Sequence, residues 1–217
     1  MIINLCFHGI GTIEREREPG ESRYWVTEDN FLRILDEVTE HPHARLSFDD
    51  GNRSDVVAAL PALLERGLCA SFFALAGRLD DAASLSPPDL RELRTAGMTI
   101  GSHGWTHVPW RGLGDDDAHR ELIDARSLLA EASAGAIQDA ALPLGRYDRG
   151  LLGRLEQAGY RTVYTSDRFP ARSDSWIQAR YSVSASDTVD SIRSILAGRP
   201  GVRDARNVLA SAVKRLR

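Results

Sequence analysis

Apolar runs of strand length alternate with stretches of helical period along most of this 217-residue chain. Seven runs, IINLCF, ARLSF, ASFFALA, MTIGS, IQDAAL, RTVYT and WIQARYSV, are nearly continuous in apolar character, as strands covered on both faces are. Between them apolar positions recur every three or four residues, and the boundaries carry capping chemistry. Thr27 precedes EDNFLRILDEVTE, Ser86 precedes PPDLRELRTAG, and Asp187 precedes TVDSIRSILAG as its expected cap. DDDAHRELIDARSLLAEA opens on acids, while SDVVAALPALLERG and RGLLGRLEQAG close on Gly67 and Gly159. Strand alternating with helix predicts parallel strands joined by crossovers, in one α/β domain over residues 1–217 with an amphipathic helix at about 203–216. One segment fits neither period: GIGTIEREREPGESRYWV, residues 9–26, is a long polar connection that serves as a lid over a site or as solvated surface.

An open doubly wound sheet and a closed barrel both fit this alternation. The reactive side chains favour the barrel, because they collect at the C-terminal ends of the predicted strands. His8 follows the first, Asp49 and Asp50 the second, His103 the fourth, Pro143 and Gly145 the fifth, and Ser166 and Asp167 the sixth. That rim is where β/α barrels build active sites. Composition adds only exclusions. Apolar residues at 42% and charged residues at 27% are ordinary for a globular chain, and a net charge of −4 predicts neither nucleic-acid binding nor a polybasic surface. Cys6 and Cys69 lie in apolar runs and are expected to be buried free thiols. The opening residues lack a basic start and a cleavage site, and no run spans a bilayer, so a cytoplasmic protein without a transmembrane segment is expected.

Two segments carry the chemistry. SFDDG sets Asp49 and Asp50 side by side at a strand end, where two carboxylates repel each other. HGWTH places His103 and His107 four apart, with Gly104 allowing the backbone to curl so that both imidazoles meet one ion. Alone, such a pair is more often two polar loop histidines; acids at a neighbouring strand end change that balance. Asp50 with the two histidines is a ligand set for zinc or another divalent first-row metal, and a cation there relieves the repulsion between the acids. Asp49 is then free to act as a base toward an activated water. The same three ligands could hold iron(II) in an oxygenase, which the second acid and the β/α pattern disfavour.

SFDDG and HGWTH resemble the first two motifs of the polysaccharide deacetylases, carbohydrate esterase family four, and LPLGRYD resembles a weaker third. The likeness runs from about residue 2 to about residue 185. It implies a distorted β/α barrel of about seven parallel strands and metal-dependent removal of the N-acetyl group from an amino sugar in a poly- or oligosaccharide or sugar conjugate, with release of acetate. It implies Zn2+, with Co2+ or Ni2+ as alternatives, on Asp50, His103 and His107, with Asp49 as general base and the Leu144 N–H holding the oxyanion. The departures are specific. Ala141 stands where the family's third motif opens with arginine, and Leu144 where an aromatic follows the proline; Arg180 or Arg146 is the candidate for the missing charge. SDSW at 173–176 only echoes the fourth motif, and no histidine follows His119 to supply the fifth. LCFHGI resembles the Tyr-His start of a branch acting on poly-N-acetylglucosamine, which makes His8 the expected general acid, oriented by Asp167 or Asp174. Trp105 and Trp110 either support a sugar ring or wall the pocket. His41, His43 and His119 are expected at the surface. The competing class is a degenerate, non-catalytic carbohydrate-binding barrel, favoured by the lost arginine and aromatic and opposed by the intact base and ligands.

Overall fold

Alternate residues of each strand face different surroundings, and that difference organises the molecule. The structure, a computed structural model, describes residues 1–198 and 202–217. Its strands are β1 (Ile3–Phe7), β2 (Gly9–Ile10), β3 (Trp25–Val26), β4 (Ala44–Phe48), β5 (Ala70–Ala74), β6 (Thr99–Ser102), β7 (Asp139–Ala141), β8 (Thr162–Thr165) and β9 (Ile177–Ser182). Seven of them close into a parallel barrel in the order β1-β4-β5-β6-β7-β8-β9. Closure is direct, since Asn4 of β1 lies opposite Arg45 of β4 on one side and Arg180 of β9 on the other. One seam is thin: Ser102↔Ala140 is the single register pair joining β6 to β7. The molecule is thus the expected distorted β/α barrel.

Outward-facing Leu5, Phe7, Leu46, Phe48 and Phe72 pack against Phe31, Ile34 and Leu35 of the first helix, with Phe7 and Phe31 edge to face at 5.1 Å. Burial of each phenylalanine contributes about 1.5–3 kcal/mol. The inward residues include polar groups that satisfy one another, beside apolar ones such as Phe73, whose ring lies under the Arg180 guanidinium at 5.4 Å. Asn4 Nδ2 donates to Gln178 Oε1 at 3.1 Å, and Arg180 Nη1 to Ser47 Oγ at 3.1 Å. Apolar density along the strands therefore reflects the helix-covered outer face, while the barrel interior can hold a buried guanidinium.

The helices are α1 (Glu28–Thr39), α2 (Leu60–Glu65), α3 (Pro87–Thr95), α4 (Asp115–His119), α5 (Ala125–Ala132), α6 (Arg149–Gln157), α7 (Val189–Leu196) and α8 (Val202–Leu216). Thr27 caps α1, and Ser86 with Asp89 forms a reciprocal capping box on α3. The cap of α7 is Thr188 and not Asp187, whose carboxylate accepts instead from Ser184 N and Ser191 Oγ. The two long stretches predicted as continuous helix each contain one wide π turn, at residues 55–59 and 120–124. Cys6 is buried, but Cys69 is exposed at the barrel foot, because the strand starts one residue after it. Residues 9–26 do hold structure: β2 and β3 pair in parallel, and a short 3-10 turn covers Glu21–Tyr24. Gly9 is required there, since a Cβ would sit 2.2 Å from the Trp25 ring. Among the described residues no helix is long and apolar enough to cross a membrane.

Candidate active site

Where β4 ends, the chain turns through two successive left-handed residues, Asp50 (φ 72) and Gly51 (φ 60). Aspartate tolerates this conformation better than most side chains. The turn separates the two acids. Asp49 points into the barrel, and Asp50 points across its mouth toward the segment after β6. That segment curls at Gly104 (φ 88) and His107 (φ 60), bringing the imidazoles to 5.1 Å between centroids.

A residue absent from the sequence argument holds the curl. The buried carboxylate of Glu121, in the wide turn before α5, accepts from Trp105 N (2.7 Å), Thr106 N (3.1 Å), Thr106 Oγ1 (2.6 Å) and Trp110 Nε1 (3.2 Å). Gly104 lets it approach, because a Cβ at that position would lie 2.3 Å from Glu121 Oε2. Wide turns of this kind re-aim side chains and recur at functional sites.

His103 Nε2 and His107 Nε2 each lie 3.4 Å from Asp50 Oδ1. Both opposite ring nitrogens are already committed: His103 Nδ1 to the carbonyl of Ala141 at 2.8 Å, His107 Nδ1 to Glu18 Oε2 at 2.6 Å. Each acceptor fixes the proton on Nδ1 and leaves Nε2 facing the cluster. Asp50 Oδ1 is buried without a hydrogen-bond partner. A separation of 3.4 Å is too long for a charge-assisted hydrogen bond. It matches instead the spacing of about 3.3–3.4 Å between ligand atoms that each sit about 2.0–2.1 Å from one tetrahedral ion. The donor set fits a divalent metal.

Asp49 is held differently. Arg180 grips it with both nitrogens at 2.6 Å inside the barrel. Burial pushes the Asp49 carboxyl up, but Arg180, with His103 and His8, outweighs this and holds it below the usual carboxylate range. For Asp50, too, the histidines overcome burial and pull the carboxyl down. Burial favours neutral His103, yet the two acids win and raise it. His8 is shifted down, chiefly by burial.

These groups share one cavity of about 230 Å³, lined also by Tyr24, Leu142, Leu144, Gly145 and Ser182. Leu144, in a left-handed conformation (φ 56), is among the lining residues. Arg180 reaches Asp49, whereas Arg146 is exposed and does not line the cavity. His8 lies beside Tyr24, with ring centroids 4.8 Å apart, and its Nδ1 is buried without a partner. Neither expected orienting acid reaches it. Asp167 accepts from Tyr147 Oη (2.6 Å), Thr165 Oγ1 (2.9 Å) and Lys214 Nζ (2.6 Å), and Asp174 pairs with Arg172 on the surface. Asp174 and Trp176 of SDSW border a cavity at the opposite end of the barrel, so that echo plays no part at the mouth. Neither Trp105 nor Trp110 lines the site cavity; Trp110 is core, and Trp105 stacks under Arg120. His119 is exposed, and His43 Nε2 bonds the Leu196 carbonyl far from the mouth. The polar segment 9–26 does reach the site: Glu18, Pro19, Gly20 and Glu21 wall the cavity, and Arg78 pairs with Glu18 at 2.5 Å.

A seven-stranded β/α barrel with a carboxylate–imidazole cluster at its strand ends defines a class before any comparison. The polysaccharide deacetylase family model matches residues 36–163, more than half of the chain, and the chain belongs to that family. YxkH of Bacillus subtilis (strain 168), a curated relative, is 26% identical over 141 residues, 65% of this chain and 50% of that protein. The chain thus spans about half the length of that relative. Among solved structures, the Streptococcus pyogenes deacetylase PplD in complex with acetate aligns with a TM-score of 0.76 at 19% identity, covering 92% of this chain and 98% of that one. BC0361, a polysaccharide deacetylase from Bacillus cereus, aligns with a TM-score of 0.76 at 16% identity, covering 90% of this chain and 68% of that one.

Proposed function

We propose that this protein is a metal-dependent hydrolase that removes the N-acetyl group from an amino sugar in a poly- or oligosaccharide or sugar conjugate. The observation that carries this is the convergence of Asp50, His103 and His107, with both Nδ1 atoms engaged, beside an Asp49 clamped by Arg180. When bound by those three residues, a divalent cation such as zinc supplies Lewis-acid polarisation and makes water acidic enough to ionise near neutral pH. Asp49, ionised and fixed by Arg180, takes the proton from the attacking water. The Leu144 N–H donates to the oxygen that gains charge as the amide carbonyl becomes tetrahedral, a donor worth about 3 kcal/mol of barrier. His8, in its protonated form, delivers a proton to the departing amine; burial lowers its pKa, so that form is the less populated one near neutral pH and the stronger acid when present.

A non-catalytic sugar-binding barrel is the competing reading, resting on Ala141 and Leu144 in the third motif. Arg180 weakens it, since a bidentate guanidinium on Asp49 stands where the loss of the motif arginine had left the base unsupported. The test is a mass-spectrometric screen of N-acetylated and N-formylated sugars, sugar nucleotides and oligosaccharides with zinc- and cobalt-loaded protein. Acetate release is expected, falling by about 10²–10⁴-fold in Asp49→Asn with metal content unchanged. Stoichiometric metal without turnover of any member would leave the binding module as the answer.

A further inference from the structure

Helix α8 is amphipathic in an unusual sense, because its polar side faces the barrel and its apolar side faces out. Asn207 Nδ2 donates to the Arg168 carbonyl (3.0 Å), Ser211 Oγ bonds Tyr147 Oη (2.8 Å), and Lys214 Nζ pairs with Asp167 (2.6 Å). These positions, three and four apart, form one stripe anchored by hydrogen bonds and an ion pair. The opposite stripe is Ala205, Val208, Leu209, Ala212, Val213 and Leu216, all exposed, with Leu209 at 67% and Leu216 at 81%. A surface helix ordinarily turns such a stripe toward the core. Here a continuous apolar ridge is left uncovered, and Val208 shares a depression with Met1 and Pro170 that extends it onto the barrel wall.

Charge and area decide what fits this ridge. The segment 202–217 carries five basic residues against one acid, in a chain whose net charge is −4. Exposed Arg206 falls on one border of the apolar stripe at helical spacing. Pairing with a second copy would bring two such cationic helices together. It would also bury too little: a 15-residue helix is about 22 Å long, and a ridge about 10 Å wide offers about 220 Å² per partner, against about 800 Å² in a stable interface. An anionic lipid surface meets both features, taking the apolar ridge into the acyl boundary while phosphates meet Arg206 and the basic character of the segment.

We propose that α8 is a peripheral membrane-binding element whose outward face lies in the interface of an anionic bilayer. The opposite helix face stays on the barrel, so binding needs no unfolding. Lys214, near the helix's C-terminal end, also reaches the Gly145 carbonyl (3.4 Å) on the cavity rim. A helix lying in the membrane plane therefore sets the mouth beside the lipid surface. The inference stands on the helix alone and is independent of the reaction proposed above.

The test is co-sedimentation of the whole chain with vesicles of phosphatidylcholine alone and with phosphatidylglycerol at about 30%. Wild-type protein is expected to pellet with the anionic vesicles and to be released by raised salt. Leu209→Asp with Val213→Asp is expected to lower the apparent affinity at least about tenfold, at an unchanged melting temperature because both side chains are exposed. Arg206→Glu is a second, milder variant with the same expected direction. Equal pelleting of the double variant would overturn the proposal, as would absence of wild-type binding at low salt. A dimer seen by analytical ultracentrifugation, abolished by the double substitution without any lipid binding, would overturn it in favour of a second copy.

Discussion

Asp49 and Asp50 are neighbours in sequence, yet their carboxylates live in different electrical surroundings. Asp50 faces two imidazoles across the mouth, while Asp49 turns inward onto Arg180, 131 residues away. The metal-ligand candidates were legible, because adjacent acids at a strand end and histidines four apart have few structural uses. Arg180 could only be a guess, since nothing local to β9 marks which strand it faces. Glu18 and Glu121 were not legible at all: each is one acid in a charged stretch, and its partner is distant in sequence. The Arg180–Asp49 pair makes a pH prediction with a definite sign. Asp49 is held below its ordinary range in the fold, so its pairing stabilises the protein above the unfolded-state pKa, and that stability is lost as pH falls through the lower native value. Arg180→Met removes the strongest opposition to burial, leaving only His103 and His8 against it, and raises Asp49. The acidic limb of kcat/KM is expected to move to higher pH, and stability at neutral pH to fall by about 3–5 kcal/mol because one buried charge loses its partner. Denaturant melts and pH–rate profiles check both, and an unmoved acidic limb would remove Arg180 from any tuning role. His8→Ala is expected to cut turnover about 10²-fold or more with metal still bound; near-full turnover would vacate the general-acid role.

At the scale of elements, the segment from β6 to α5 shows what periodicity can and cannot deliver. The 3.6-residue pattern located the helical stretch 115–132, but a single inserted wide turn at 120–124 leaves that pattern almost intact, so it was invisible. The turn matters because it brings Glu121 under the His103–His107 loop, where one carboxylate satisfies two backbone N–H groups, a hydroxyl and an indole. Residues 9–26 are the reverse case: their charge concealed a β2–β3 ladder and the Glu18 contact to His107. Glu121→Ala orphans donors that cost about 1–3 kcal/mol each when buried and frees the loop that sets the histidine spacing. Zinc affinity is expected to weaken about 10–100-fold, measured by competition with a chromophoric chelator. Glu18→Ala, acting on one imidazole from the 9–26 segment, belongs to the same range but leaves the loop's own hydrogen bonds in place. Equal affinity in Glu121→Ala and wild type would show that the loop is rigid without its carboxylate.

At the scale of the whole molecule, the ring determines which residues can meet. The strand–helix alternation and the polar rim made the barrel readable, because parallel strands covered by helices must be apolar outside, and an active site must open where the strands end. What alternation could not assign was end against end: SDSW sits at the barrel foot, opposite the chemistry, although motif order alone had grouped it with the rest. Closure would also make metal affinity at the candidate site a property of the folded state. The Asp50 carboxylate follows β4, the imidazoles follow β6, and β5 lies between them in the ring, so no unfolded chain holds both Nε2 atoms 3.4 Å from the Asp50 oxygen. Binding to the native state alone stabilises it by about 4 kcal/mol when free metal is about 1,000 times its dissociation constant, and each kcal/mol shifts the midpoint of a domain this size by about 2–4 °C. Zinc added to chelated protein is therefore expected to raise the melting temperature by about 8–16 °C. Asp50→Asn should lose most of that rise, because a neutral amide cannot replace a charged ligand. Asp49→Asn should keep it, because Asp49 belongs to Arg180. A zinc-dependent rise of equal size in Asp50→Asn would mean that the three atoms facing one another across the mouth are not the ligands, and the pairing of one acid with the histidines and the other with the arginine would lose its chemical meaning.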